Sequence, residues 1–189
     1  MPSAAEDFAS GQALQRGGQL TLAAQAYRRA LETEPANVQA QFLLGVVLAQ
    51  QGKLDEALES FERAHALNPA AAEIEANLRH VRAIRENNAG NALATQGKLD
   101  EAVACYRRAL ELTSNYPEAH QNLGAALAEQ GKLDEAIASQ CRALELRPNT
   151  YGALETRGRA LLALGKTSEA IADFQEAATL NPQDAANHF

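Results

Sequence analysis

Six residues, Gly52-Lys53-Leu54-Asp55-Glu56-Ala57, recur as Gly97-Lys98-Leu99-Asp100-Glu101-Ala102 and again as Gly131-Lys132-Leu133-Asp134-Glu135-Ala136. A weakened copy reads Gly165-Lys166-Thr167-Ser168-Glu169-Ala170, and a fainter one opens the series at Gly18-Gln19-Leu20-Thr21-Leu22-Ala23. The glycines lie 34, 45, 34 and 34 residues apart. A fixed period of this length describes stacked supersecondary units, each too small to bury its apolar face alone. No other feature of the chain restricts its fold so tightly.

The residues around the phrase define one unit. Its alanine is followed by a large residue four on and a second alanine three later, as in Ala23, Tyr27 and Ala30 or Ala57, Phe61 and Ala64. Those offsets share one helix face. Proline then closes the segment at Pro35, Pro69 and, in the last copy (Ala170, Phe174, Ala177), Pro182; it has no N–H and disfavours helix in its predecessor. Upstream of each turn a second helix carries Gly11, Gly45, Gly90, Gly124 or Gly158, with Leu14, Leu48, Leu93, Leu127 or Leu161 three residues later. A glycine inside a helix costs about 1 kcal/mol against alanine. Five at matched positions predict a close backbone approach. The unit is helix, glycine turn, helix, proline turn.

This unit closely resembles the tetratricopeptide repeat. The resemblance implies an all-α, right-handed solenoid of about five antiparallel helix pairs forming one domain over 1–189. The repeats fall at about 4–37, 38–71, 83–116, 117–150 and 151–184. Departures are local: Ser10, Ala89 and Arg157 stand where leucine is usual, Gln140 replaces the aromatic, and Ser114 replaces a terminal proline with Pro117 nearby.

An insertion, residues 72–82, separates the second and third repeats. It has neither glycine nor proline, and eleven residues is about three helical turns, so the apolar phase is kept. One unbroken helix is therefore expected near 73–96, roughly 36 Å long. Ile74, Leu78 and Val81 would cover repeat two, and Ala89, Ala92 and Leu93 would begin repeat three. Such a helix is expected to break the superhelix into offset blocks, or to leave apolar surface that a second copy covers as a homodimer. At the ends, Ser3 and Glu6 form a capping box, whereas Asn187-His188-Phe189 stops as another helix would begin. A fragment of a longer protein is the expectation there, with a partner over the last helix as the alternative.

Other features exclude function classes. A net charge of −7 argues against nucleic acid as a partner. No apolar run is long enough for a membrane span, and Met1-Pro2-Ser3-Ala4-Ala5-Glu6-Asp7 is no secretory signal, so the expected address is the cytoplasm. Cys105 and Cys141 read as reduced thiols. His65, His80, His120 and His188 stand alone, and no phosphate loop or zinc-protease motif occurs. The acidic residues of the repeated phrase sit at a helix start, where they favour the dipole. No catalytic centre, metal or cofactor is expected.

Binding remains. The resemblance implies a concave groove lined by the first helix of each repeat, receiving a peptide or extended segment. Helical phase from the glycine slot aims Phe8, Gln12 and Arg16, then Phe42, Val46 and Gln50, into it. Phe8 and Phe42 read either as an apolar strip or as ordinary core. Further along come Asn87, Asn91 and Thr95, then Gln121, Asn122 and Glu129, then Glu155 and Arg159. Amides both donate to and accept from a peptide backbone. The expected contact set is Phe8, Phe42, Asn87, Asn91, Asn122 and Arg159. Two family sub-patterns match in part. Asn91 and Asn122 have the spacing of the asparagines that grip a chaperone C-terminal carboxylate, but the three cationic slots hold Asn87, Gly152 and Thr156. Asn88 and Asn122 match the asparagine ladder preceding O-linked N-acetylglucosamine transferase domains, whereas Ala9, Leu43 and Thr156 do not. The leading expectation is a protein-interaction scaffold. Alternatives are the non-catalytic targeting region of a larger enzyme, such as a bacterial glycosyltransferase, and a self-association module through residues 72–96.

Overall fold

The computed structural model describes residues 2–181, so Pro182, His188 and the terminal Asn187-His188-Phe189 lie outside the described residues. Among the described residues there are ten α-helices and no strand: α1 (Ala4–Arg16), α2 (Leu20–Thr33), α3 (Val38–Gln50), α4 (Leu54–Leu67), α5 (Ala72–Thr95), α6 (Leu99–Leu112), α7 (Pro117–Glu129), α8 (Leu133–Leu146), α9 (Tyr151–Ala163) and α10 (Thr167–Leu180). Ser3 caps α1: Ser3 N–H donates to Glu6 Oε2 at 2.7 Å, and Glu6 N–H donates to Ser3 Oγ at 3.3 Å.

The recurring phrase builds the same turn five times. Gly18, Gly52, Gly97, Gly131 and Gly165 all take φ between 72° and 75°, the left-handed region that only glycine enters freely. Each ends the first helix of a pair. Lys53 N–H donates to Leu48 C=O at 2.9 Å and Gly52 N–H to Ala49 C=O at 2.9 Å, the Schellman pattern. Lys98, Lys132 and Lys166 bond Leu93, Leu127 and Leu161 in the same way. The leucine three residues after the glycine slot thus supplies both a core side chain and the carbonyl that closes the turn.

The glycine slot has a different cause from the expected backbone approach. It seats the large side chain of the second helix. A Cβ on Gly45 would stand 2.9 Å from the Phe61 ring, and one on Gly11 or Gly90 would stand 2.6 Å from Tyr27 or Tyr106. Gly158 meets Phe174 at 2.7 Å, and Gly124 meets the Gln140 amide at 2.5 Å. The ring takes the space that the missing methyl leaves, and its burial repays the helix cost of glycine several-fold, at roughly 2–3 kcal/mol per large apolar side chain.

The chain divides into two compact units, Met1–Arg82 and Ala83–Phe189, and α5 supplies residues to both. In the first unit Ile74, Leu78 and Val81 of α5 are buried; Leu78 and Val81 join a core of Tyr27, Val47, Leu48 and Phe61. In the second unit Leu93 packs against the core as expected, but the rest of the expected packing face of α5 is corrected. Ala89 and Ala92 are exposed. Ala83, Asn87 and Gly90 are the buried positions, because spacings of three and four put them on one side of α5, where Gly90 meets Tyr106 and Ala83 clusters with Ala109 and Ala119. The core here includes Ala102, Tyr106, Leu123, Leu127 and Ala136. In the last pair, Arg157 fills the leucine slot and makes a bidentate ion pair with the buried Asp173, at 2.6 and 2.8 Å.

Candidate ligand-binding face

In the first unit the first-helix face carries a groove of about 480 Å³, lined by Gln12, Gln15 and Arg16 of α1 and Leu43 and Gln50 of α3. Its chemistry is set from beneath. Tyr27 O–H donates to Gln15 Oε1 at 2.7 Å, so the Gln15 carbonyl is engaged and its NH₂ remains to donate. Burial pushes the Tyr27 phenol above its ordinary range, against the opposing pull of the Arg16 charge. Arg16 Nε donates to Gln12 C=O at 3.4 Å, and among the described residues its guanidinium has no carboxylate partner. The groove therefore presents a free cation and amide donors, a set that suits a carboxylate or peptide carbonyls.

Phe8 and Phe42 are half-buried at matched positions of α1 and α3. Phe8 packs tilted on Tyr27, with ring centroids 5.9 Å apart, and Phe42 packs on Phe61 at 5.7 Å. Both lie against the core of the first unit.

The second unit has a groove of about 340 Å³ between α7 and α9, lined by Ala125, Glu129, Leu133, Thr156, Arg159 and Ala160 among others. Arg159 Nη2 donates to Glu155 Oε1 at 2.7 Å and stays largely exposed. The asparagines do not line this groove. Asn87 is buried, and its Oδ1 accepts from Asn122 Nδ2 at 2.9 Å. Asn91 is exposed, but its Oδ1 accepts from Tyr106 O–H at 2.8 Å. Asn91 and Asn122, the pair spaced for a carboxylate grip, are each tied within the repeat stack, and Gly152 sits against the Gln121 amide, 2.7 Å from where its Cβ would stand.

Two groove residues, Gln15 and Leu43, fell outside the sequence-derived groove set. Gln15 was detectable in principle: Tyr27 is a buried phenol and needs an acceptor one turn beyond the glycine it covers. Leu43 carries no comparable signal, since a leucine beside the core stripe reads as core.

Four segments match tetratricopeptide models: residues 8–72, 117–150 and 151–184 match models described as tetratricopeptide repeat, and residues 90–131 match one described as TPR repeat. The chain belongs to the tetratricopeptide repeat family. No curated protein matches it. Among solved structures, the fold is similar to that of MamA, with 23% identity, 98% of this chain and 96% of that chain covered, and a TM-score of 0.52. It is also similar to YrrB, described as a TPR protein with an unusual peptide-binding site, at 24% identity, 98% and 91% coverage, and a TM-score of 0.53. The first TPR of Spaghetti (RPAP3), solved with the HSP90 peptide SRMEEVD, is 29% identical over 58% of this chain and 88% of that chain, with a TM-score of 0.56.

Proposed function

We propose that this tetratricopeptide protein is a non-catalytic scaffold that holds an extended, carboxylate-bearing peptide segment on its first-helix face. The observation that carries this reading is the free Arg16 guanidinium, set among Gln12, Gln15 and Gln50 in a groove of the first unit. The Arg16 guanidinium is exposed and has no carboxylate partner among the described residues, and its planar fork fits a ligand carboxylate in bidentate fashion. The glutamine amides then hold the neighbouring peptide units. In the second unit, Thr156 and Arg159 offer a smaller polar site over an alanine-rich floor. Asn91 and Asn122 act chiefly by holding Tyr106 and Asn87, and Phe8 and Phe42 add apolar surface beside their core contacts. The peptide-bound Spaghetti (RPAP3) repeat and the peptide site named for YrrB support the reading by analogy.

The test is a random-peptide display selection on the full chain, followed by counter-selection on Arg16→Ala. Enriched sequences should share an acidic residue and should lose at least about tenfold in affinity on the variant, the size of one charge-assisted contact. Enriched sequences without an acidic residue, held equally by both proteins, would remove this reading.

A further inference from the structure

The second-helix face of the first unit carries a separate groove, of about 410 Å³, between α2 and α4. Its floor is α3, through Leu44, Leu48 and Gln41, and Leu31 and Pro35 form one wall. Gln41 is 6% exposed, yet among the described residues its side-chain amide makes no hydrogen bond. That amide opens into a groove large enough for a side chain with a stretch of backbone, where it is available to a ligand.

Comparison between the repeats explains the vacancy. The position four before the glycine slot is Asp7 in the first repeat and Glu86 in the third. Each carboxylate holds the arginine at the matched position of its second helix: Asp7 bonds Arg29 at 2.8 Å and Glu86 bonds Arg108 at 2.8 Å. In the second repeat the carboxylate is replaced by Gln41. Arg63, the matched arginine, turns instead to Glu59 on its own helix. The bridge that closes the other two pairs is absent, and a groove stands in its place.

We propose that this groove is a second peptide-docking site, for a segment that carries an aliphatic side chain next to a cationic residue. Leu31, Pro35, Leu44 and Leu48 receive the aliphatic group. The Gln41 amide, both donor and acceptor, pairs with one peptide unit of the ligand. Charge at the rim selects the cation. Arg28 is engaged by Glu56 at 2.6 Å and Arg63 by Glu59, while Glu32 has no partner among the described residues. The rim's unspent charge is therefore negative, the opposite of the Arg16 groove. The two faces would hold oppositely charged segments.

The experiment titrates the capped peptide acetyl-Gly-Leu-Lys-Gly-amide into the isotope-labelled full chain and follows amide resonances by NMR. Saturable shifts of the Gln41 side-chain NH₂ and of the Ser60 and Arg63 backbone amides are expected. Glu32→Gln, an exposed change that leaves the fold intact, should weaken the peptide roughly threefold to fivefold, as should Lys→Glu in the peptide. Gln41→Ala should weaken it further. No saturable shift at millimolar peptide, shifts confined to Arg16 and Gln50, or equal affinity for the Lys and Glu peptides would each overturn the proposal. A missing shift here does not touch the Arg16 reading, on which this proposal's contrast of charge rests and which the Arg16→Ala selection tests separately.

Discussion

Tyr106 donates its hydroxyl proton to Asn91 Oδ1 at 2.8 Å, across the helix pair that its ring and Gly90 hold together. Tyr27 does the same to Gln15 in the first repeat. The second repeat has Phe61 in this place, and the corresponding first-helix positions are Val46 and Ala49. In these three repeats tyrosine stands where the first helix offers an amide, and phenylalanine where it offers hydrocarbon. The phenol would otherwise be a buried donor without an acceptor.

Asn91→Ala is accordingly expected to destabilise the protein by about 1 kcal/mol, because it strands the Tyr106 hydroxyl. Adding Tyr106→Phe should recover most of that loss, since both partners are then apolar. Chemical denaturation of the two single variants and the double variant measures the coupling. Additive losses would show that the pair does not interact.

Gln140 is fully buried in the slot that elsewhere holds an aromatic, and its Oε1 has no partner. Its Nε2 donates to Gln121 C=O at 3.0 Å. The first-helix positions beside it are Ala125 and Ala128, the hydrocarbon environment of Phe61. Gln140→Phe should therefore stabilise the protein by roughly 1–2 kcal/mol, whereas Gln140→Tyr should gain less, having no acceptor for its hydroxyl. A denaturation series ranking Tyr above Phe would contradict the pairing rule.

The Arg157–Asp173 pair offers a test of the opposite kind. Its Asp173 hydrogen bonds hold the Arg157 guanidinium well above the ordinary arginine range, against the cost of burial. Arg157→Leu alone leaves Asp173 buried and uncompensated, and should cost about 3–5 kcal/mol. Arg157→Leu with Asp173→Ser rewrites the site as the second repeat has it, with Leu44 and Ser60. That double variant should return to within about 1 kcal/mol of the starting protein.

Alkaline pH should loosen the helices that bury Tyr27, Tyr106 and Tyr116. Burial raises the Tyr27, Tyr106 and Tyr116 phenols above 10.0; Cys105 and Glu129 add to the rise at Tyr106. A raised folded-state value means that the folded protein holds these protons more tightly than the unfolded chain. The stabilisation is complete below the ordinary phenol value and is lost as pH rises through the higher folded one. Phenolate absorbance followed alongside helicity should show these tyrosines titrating late and together with unfolding. Ionisation at the ordinary value with helicity intact would contradict it.

The repeat, its turns and its helix pairing were legible because they obey periodicity. Gly52 and Phe61 occupy fixed stations, and five copies average out the local exceptions. The continuity of α5 was legible for the same reason, as eleven residues keep helical phase. Which residues line the grooves was less so. Asn87, Asn91 and Asn122 share a polar pattern with residues that line a groove, and spacing alone does not reveal that Asn91 is bonded to Tyr106 and Asn122 to Asn87. Helical phase aims Arg16 at the groove, but its lack of a carboxylate partner among the described residues is a property of three-dimensional neighbours that no spacing reveals.

The most direct test of the account is the affinity of one selected acidic peptide, measured by fluorescence anisotropy on the full chain and on Arg16→Ala, Gln50→Ala and Glu32→Gln. The account predicts losses of about tenfold at Arg16 and a few-fold at Gln50, with Glu32→Gln unchanged and helicity equal throughout. Equal affinity on all four proteins would contradict the assignment of the first-helix groove as the binding site.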